Sequence, residues 1–291
     1  MKRFFFTLAV IAVATISAIA QNTLTKVYNF GEITSIEANS IYHVEVTQGN
    51  SGTVKIVYED YYKDRLIVKY YNGKLNLGIT PTKGRSNHKN TAGIKVYLQM
   101  PTIDELDLSG ASSLNATGSF KTDELDIETS GASSITGLEI SGNELSLDCS
   151  GASTLNLKGD FKTIEAEISG ASEIVLNSNS TVFEGEFSGA ATAKIYGDHK
   201  NTDVVCSGAS SIILEGKTDY IKSVTTGASI LKAQEFTALN GYAQVSGASN
   251  AKVRCTGDLK IMVGRASKLT YYGNPNIINL STDNNIKKGD D

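Results

Sequence analysis

The chain has 291 residues, 40% of them hydrophobic, and a formal net charge of −4. The first twenty residues carry only two charges, Lys2 and Arg3, and losing them would take the net charge to −6. A balance this acidic argues against nucleic acid as a partner.

Residues 1–20 read as a signal peptide. Lys2 and Arg3 supply the charge, Phe4 to Val13 the apolar run, and Ala18-Ile19-Ala20 the small-x-small cleavage site before Gln21. The run is too short to span a bilayer as a helix, so the chain is expected to be exported, to the periplasm, the outer surface or the medium, with no transmembrane segment.

Residues 21–100 form a β-rich N-terminal region. Apolar alternation predicts strands near Lys26–Phe30, Ser35–Glu37, Tyr42–Thr47, Val54–Tyr58, Arg65–Tyr70, Lys74–Ile79 and Ile94–Met100. Gly49, Gly52 and Asn72-Gly73 mark turns, and Asn-Gly between apolar runs is a hairpin signal. Eight of the 13 tyrosines lie here, including the adjacent pairs Tyr61-Tyr62 and Tyr70-Tyr71. Exposed tyrosine could stack on sugar rings, but tyrosine at a strand edge with a wet hydroxyl is the plainer expectation. The polar loop from Pro81 to Gly93 carries Lys83, Arg85, His88 and Lys89, and reads as the one basic cluster of the mature chain.

Residues 101–275 are dominated by Ser-Gly-Ala-Ser. Its glycine falls at Gly110, Gly131, Gly151, Gly170, Gly189, Gly208, Gly227 and Gly247, and a ninth copy has Arg265 in the glycine slot. Spacings of 18 to 21 residues are the mark of a solenoid. Positions two and four before the glycine, and four and six after it, are mostly apolar or small, which is the period-two pattern of half-buried strands. Each copy is therefore strand, corner, strand. Such a unit buries its apolar side only by stacking on its neighbours. The expected fold is all-β: a parallel β-helix of about nine coils, right-handed because parallel crossovers favour that hand. Glycine permits the sharp bend, and the following alanine is expected to avoid crowding the next coil. The serine hydroxyls are expected to bond along their column or to corner backbone groups.

Residues 276–291 read as a cap, with Ile277 to Leu280 covering the last open edge, followed by a disordered tail from Lys287.

Several motifs now stand in order: Ile41 to Gly49 (IYHVEVTQG), Val96 to Pro101 (VYLQMP), the Leu-Asp-Leu-Ser-Gly-Ala-Ser repeats and Tyr271 to Pro275 (YYGNP). Over most of the mature chain this resembles the "putative auto-transporter adhesin" or head GIN domain family, common in Bacteroidetes-type bacteria. The resemblance implies a parallel β-helix-like fold and a periplasmic or surface location. It supplies no agreed site to carry over.

Catalytic constellations are not evident. His43, His88 and His199 fall in no zinc or triad spacing. Ser-x-x-Lys occurs at Ser229/Lys232 and Ser249/Lys252. In acyl enzymes that motif sits at a helix start, whereas here the repeat produces it and turns the lysine outward. No cofactor is implied. Cys149 and Cys206 share one inward column three coils apart, about 14 Å, beyond the roughly 7 Å a disulfide allows. Three reduced thiols are expected.

The outward face of the first strand carries the sharpest functional lead. Three places before the glycine stand Asp107, Glu128, Asp148, Glu167 and Glu186; five places before it stand Glu105, Asp126, Glu165, Glu184 and Asp203, with Ser146 among them. Like charges facing each other across strands repel. Three things could offset this: salt screening of a charged, non-aggregating face, a cationic partner such as the loop of Lys83, Arg85 and Lys89, or weak divalent cation binding. The expected function is a non-catalytic, adhesin-like or structural solenoid meeting a glycan, a protein or another copy of itself. The alternative is a polysaccharide-cleaving enzyme on a β-helix scaffold, an argument from fold alone.

Overall fold

The computed structural model describes residues 23–81, 93–281 and 285–290. Residues 1–20 and the basic loop of Lys83, Arg85 and Lys89 lie outside them. The described chain is all β apart from one 3-10 turn at Asp60–Tyr62.

Seven strands precede the repeats: β1 (Thr23–Asn29), β2 (Ser35–Ser40), β3 (Tyr42–Gln48), β4 (Thr53–Glu59), β5 (Leu66–Tyr71), β6 (Lys74–Ile79) and β7 (Ile94–Met100). Each falls on one of the apolar alternations noted above. Asn72 and Gly73, at φ 48° and 83°, close β5 on β6 as an antiparallel hairpin, the backbone that Asn-Gly favours. β4 pairs antiparallel with both β1 and β7.

The repeats start with β8 (Glu105–Gly110) and β9 (Ser113–Thr117), and later coils restate this pair. On the first sheet β8 is followed in parallel register by Glu124–Thr129, Glu144–Cys149, Thr163–Ile168, Ser180–Phe187 and His199–Cys206. The second halves of Ser211–Thr225 and Ile230–Val245 continue it to Asp258–Val263 and Asn276–Asn279. On the second sheet β9 leads, coil by coil, to Lys268–Tyr272 and Ile286–Lys288. The result is a β-solenoid of about ten turns.

The N-terminal region is woven into this stack. β2 pairs in parallel with β8 on one side and β6 on the other, and β3 does the same with β9 and β7. The rung β2–β3 is thus inserted between β6–β7 and β8–β9, so rung order is not chain order. Ser40 stands opposite Gly110 with φ 100° and fills the glycine slot.

The corner owes its residues to close stacking. Gly131 has φ 69°, and a Cβ there would lie 2.5 Å from the carbonyl oxygen of Gly110. The Ala132 N–H donates to that same oxygen at 2.6 Å. The alanine side chains are exposed at the tip of the corner; the crowding expected at alanine acts at glycine instead, because only the glycine faces the coil before it. The second serine turns inward, and its hydroxyl donates to a carbonyl three residues back, as Ser153 does to Ser150 (2.6 Å) and Ser172 to Ser169 (2.8 Å). At the ninth corner the Ser267 hydroxyl still donates to Gly264 (2.7 Å). The run of alanine N–H to glycine carbonyl bonds ends, among the described residues, at Ala248 and Gly227.

The inward columns of both sheets share one core. Cys149, Ile168, Phe187 and Cys206 follow one another on successive strands, which separates the two thiols by three strand spacings, about 14 Å. All three cysteines are free and buried. Burial pushes the Cys149 thiol up to about 11 and the Cys206 thiol up to about 12, so neither forms a reactive thiolate near neutrality.

The C-terminal end departs from expectation. Asn276–Asn279 pairs along Asp258–Val263 and extends the sheet by a rung, where a covering cap was expected. Lys287 and Lys288, expected in a disordered tail, pair with Thr270 and Tyr271.

Candidate functional site

Strand register places the carboxylates of the first sheet in two outward lines. Asp107, Glu128, Asp148, Glu167 and Glu186 are direct neighbours in sequence of coils, and Glu37 on the inserted rung extends that line beside Asp107. Glu105, Asp126, Ser146, Glu165, Glu184 and Asp203 form the other.

Lysines close both ends. Lys74 Nζ lies 2.6 Å from Glu105 Oε1 and 3.6 Å from Glu37 Oε2, while Lys222 Nζ lies 2.5 Å from Asp203 Oδ2. Between them, among the described residues, no ion pair within 4.0 Å reaches Asp126, Glu128, Asp148, Glu165, Glu167, Glu184 or Glu186. The carboxyl groups register this. Asp107 is held above the usual carboxylate range by burial first and then by Glu37, with Lys74 opposing. Glu128 is raised by burial and then by Asp107, Asp126 and Asp148. The hydrogen bond to Glu105 chiefly raises Lys74.

The ladder does not converge on a point. Successive strands offer their carboxylates about 4.8 Å apart, side by side. Among the described residues no group of three or more His, Cys, Asp or Glu could hold a metal ion. Calcium wants six to eight oxygens around one centre, and a flat ladder does not gather them.

Past Glu186 the line continues with Val205, Val224, Gln244 and Met262, so the acidic character stops. On the second sheet a feature appears that the chain order hides. Lys194, Ile213, Lys232, Lys252, Thr270 and Lys287 form one unbroken outward column, with Lys268 beside it. The loop of Lys83, Arg85 and Lys89 is therefore not the one basic cluster. The others escape notice because their lysines lie whole coils apart. The signal is their common offset, five places after the glycine at Lys194, Lys232 and Lys252.

The remaining candidates are occupied by structural work. An open groove of about 900 Å³ runs past Asp104, Asp123 and Glu124, and part of its polar lining is bonded within it: Thr122 Oγ1 donates to Asp104 (2.8 Å) and Asn143 Nδ2 to Asp123 (3.2 Å). Ser229 and Ser249 are buried and donate to backbone carbonyls, whereas Lys232 and Lys252 leave the opposite side of the sheet. These Ser-x-x-Lys pairs do not meet. His43 Nδ1 sits 2.7 Å from Ser113 Oγ on the surface. His199 is 3% exposed, between Phe183 and Phe236, with Nδ1 2.8 Å from Ser180 Oγ. Of the N-terminal tyrosines, Tyr28, Tyr42, Tyr58 and Tyr62 are buried, and Tyr71 and Tyr97 are exposed. Tyr61 and Tyr62 lie on the 3-10 turn, where Arg65 stacks over both rings.

A family model described as "Putative auto-transporter adhesin, head GIN domain" matches residues 32–178 and again 165–275. Solved structures share the architecture. One described as "a putative adhesin from Parabacteroides merdae ATCC 43184" is 16% identical with a TM-score of 0.54, over 92% of this chain and 97% of that one. A "Putative lipid binding protein from Parabacteroides distasonis ATCC 8503" is 15% identical with a TM-score of 0.53 over the same shares, 92% and 97%. At such identities the likeness is one of fold. None of the curated proteins is significantly similar in sequence.

Proposed function

The chain belongs to the family described as "Putative auto-transporter adhesin, head GIN domain", and on that premise we propose that it is an exported, non-catalytic β-solenoid that binds at the cell envelope or cell surface. The observation that carries this reading is the outward surface. It carries an acidic ladder from Glu37 to Asp203 on the first sheet and a lysine-rich column from Lys194 to Lys287 on the second, while the Ser229/Lys232 and Ser249/Lys252 pairs are split between opposite sides of their sheet, each serine donating to a backbone carbonyl. A surface built from repeated columns suits recognition of a repeating or extended partner, a glycan chain or a protein face, better than enclosure of a small molecule. Among the described residues no helix is long and apolar enough to cross a membrane.

The test is to probe the purified chain on a glycan array and on immobilised envelope proteins, and in parallel to incubate it with acidic polysaccharides. Binding without product release supports the reading. Release of oligosaccharides at a rate that scales with protein concentration overturns it.

A further inference from the structure

We propose that copies of this chain associate side by side, with the lysine column of one copy lying along the acidic ladder of the next. This concerns copies of the chain with one another and stands apart from the partner proposed above.

Both faces hold repulsion, and among the described residues ion pairs within the chain relieve it only at the ends of the acidic ladder. Lys232 and Lys252 are direct register partners, and Glu167 stands between Asp148 and Glu186. Like charges directly opposite across strands are unfavourable. Among the described residues, no ion pair within 4.0 Å involves Lys194, Lys232, Lys252, Lys268 or Lys287. Bringing the two faces together offsets both repulsions at once.

The faces also match in pitch. Each column takes one residue per rung of one continuous stack of strands, so both step by about 4.8 Å. A lysine column laid along a carboxylate ladder therefore keeps its rungs in step, with lysine at Lys194, Lys232, Lys252 and Lys287 and uncharged Ile213 and Thr270 between them.

They cannot meet within one molecule. The acidic ladder runs from Glu37 to Asp203 on the first sheet, and the lysine column from Lys194 to Lys287 on the second, with the shared core between the sheets. Each copy thus carries one face of each sign, at different ends. The contact between copies is heterologous, using a different patch on each, and such contacts propagate into open chains or rings. Exposed ion pairs are individually weak, so association depends on several acting in register and falls with salt.

Sedimentation velocity of the full chain tests this over a concentration series at about 0.1 M and about 1 M salt, where the Debye length falls from about 10 Å to about 3 Å. Wild type should gain mass with concentration at the lower salt and return to a single chain at the higher. The variants Lys232→Glu with Lys252→Glu, and Glu165→Lys with Glu167→Lys, should each weaken self-association by about tenfold or more, a loss of about 1.4 kcal/mol. An equimolar mixture of the two should associate again, because each then offers a face complementary to the other. The two variants report on different faces, and melting curves near wild type show that each is folded. Wild type that stays monomeric at the lower salt overturns the proposal. So do variants that associate as wild type does, or a mixture that stays dissociated. If wild type is monomeric but binds an acidic polysaccharide that the Lys→Glu variant has lost, the occupant of the lysine face is that polymer and not a second copy.

Discussion

A Cβ atom built on Gly185 would lie 2.6 Å from the Cε2 ring carbon of Phe187 and 3.0 Å from a ring carbon of Phe183. Both rings are fully buried, so the missing side chain at Gly185 is the space the rings occupy. Phe187→Ala should therefore cost about 3–5 kcal/mol, and Gly185→Ala about 1–3 kcal/mol from overpacking. Denaturant midpoints at constant m-value check both. A loss below about 1 kcal/mol for Phe187→Ala would mean the ring is not in the core.

The corner makes a sharper contrast between adjacent residues. Gly170 has φ 68°, and its Cβ would come within 2.4 Å of the Gly151 carbonyl oxygen. Ala171, next to it, is exposed. Gly170→Ala should cost about 2–4 kcal/mol through the left-handed backbone and the clash together. Ala171→Ser should stay within about 0.5 kcal/mol. Equal effects at the two positions would refute the stacking assigned to the glycine.

His199 sets a limb of the pH dependence. Burial lowers its pKa from 6.5 to about 4, with Asp198 pulling weakly the other way. The unfolded chain therefore binds the proton first, and stability falls as pH drops from 6.5 towards 4, by roughly 3 kcal/mol in total. Asp107 and Glu128 act in the opposite sense. Their folded pKa values are raised, so stability rises as pH falls through a window just above the ordinary values of 3.8 and 4.5. Replacing His199 by Phe, together with Ser180→Ala to remove its partner, should flatten the loss between pH 6.5 and 4 in a Tm-against-pH series. An unchanged slope would locate the titrating group elsewhere.

Glu165 and Glu167 lie mid-ladder with carboxylates on neighbouring rungs. Glu165→Gln with Glu167→Gln should raise Tm by a few degrees at low ionic strength, and the gain should shrink in molar salt as screening takes over. Millimolar calcium should leave the Tm of both proteins unchanged, since the ladder does not gather oxygens around a centre. A calcium-dependent rise in wild type that the double variant lacks would establish a cation site after all.

Much of this architecture was legible because the repeat is written in small residues whose spacing is constant. Counting from each glycine assigns Leu106, Ile127 and Leu147 inward and Asp107, Glu128 and Asp148 outward, and the register agrees. The inserted rung was not legible. Its corner has Ser40 where the first eight repeats have glycine, and its neighbours in space, β6 and β8, are far from it in the chain. The lysine column was hidden for a related reason: Lys194, Lys232, Lys252 and Lys287 form no run, and only stacking joins them. At the end of the stack the sequence of Ile277 and Ile278 fits a cap as well as one more strand; pairing along Asp258–Val263 makes them a strand.

The central claim is that function resides on the outward columns and not in a pocket. The most direct measurement compares four proteins on the same array of glycans and envelope proteins: wild type, the two charge-reversed variants (Glu165→Lys with Glu167→Lys, and Lys232→Glu with Lys252→Glu), and a groove variant carrying Asp104→Ala and Asp123→Ala. A partner retained by wild type should be lost from a charge-reversed protein and kept by the groove variant. Loss from the groove variant alone, with the reversed faces still binding, would contradict the account.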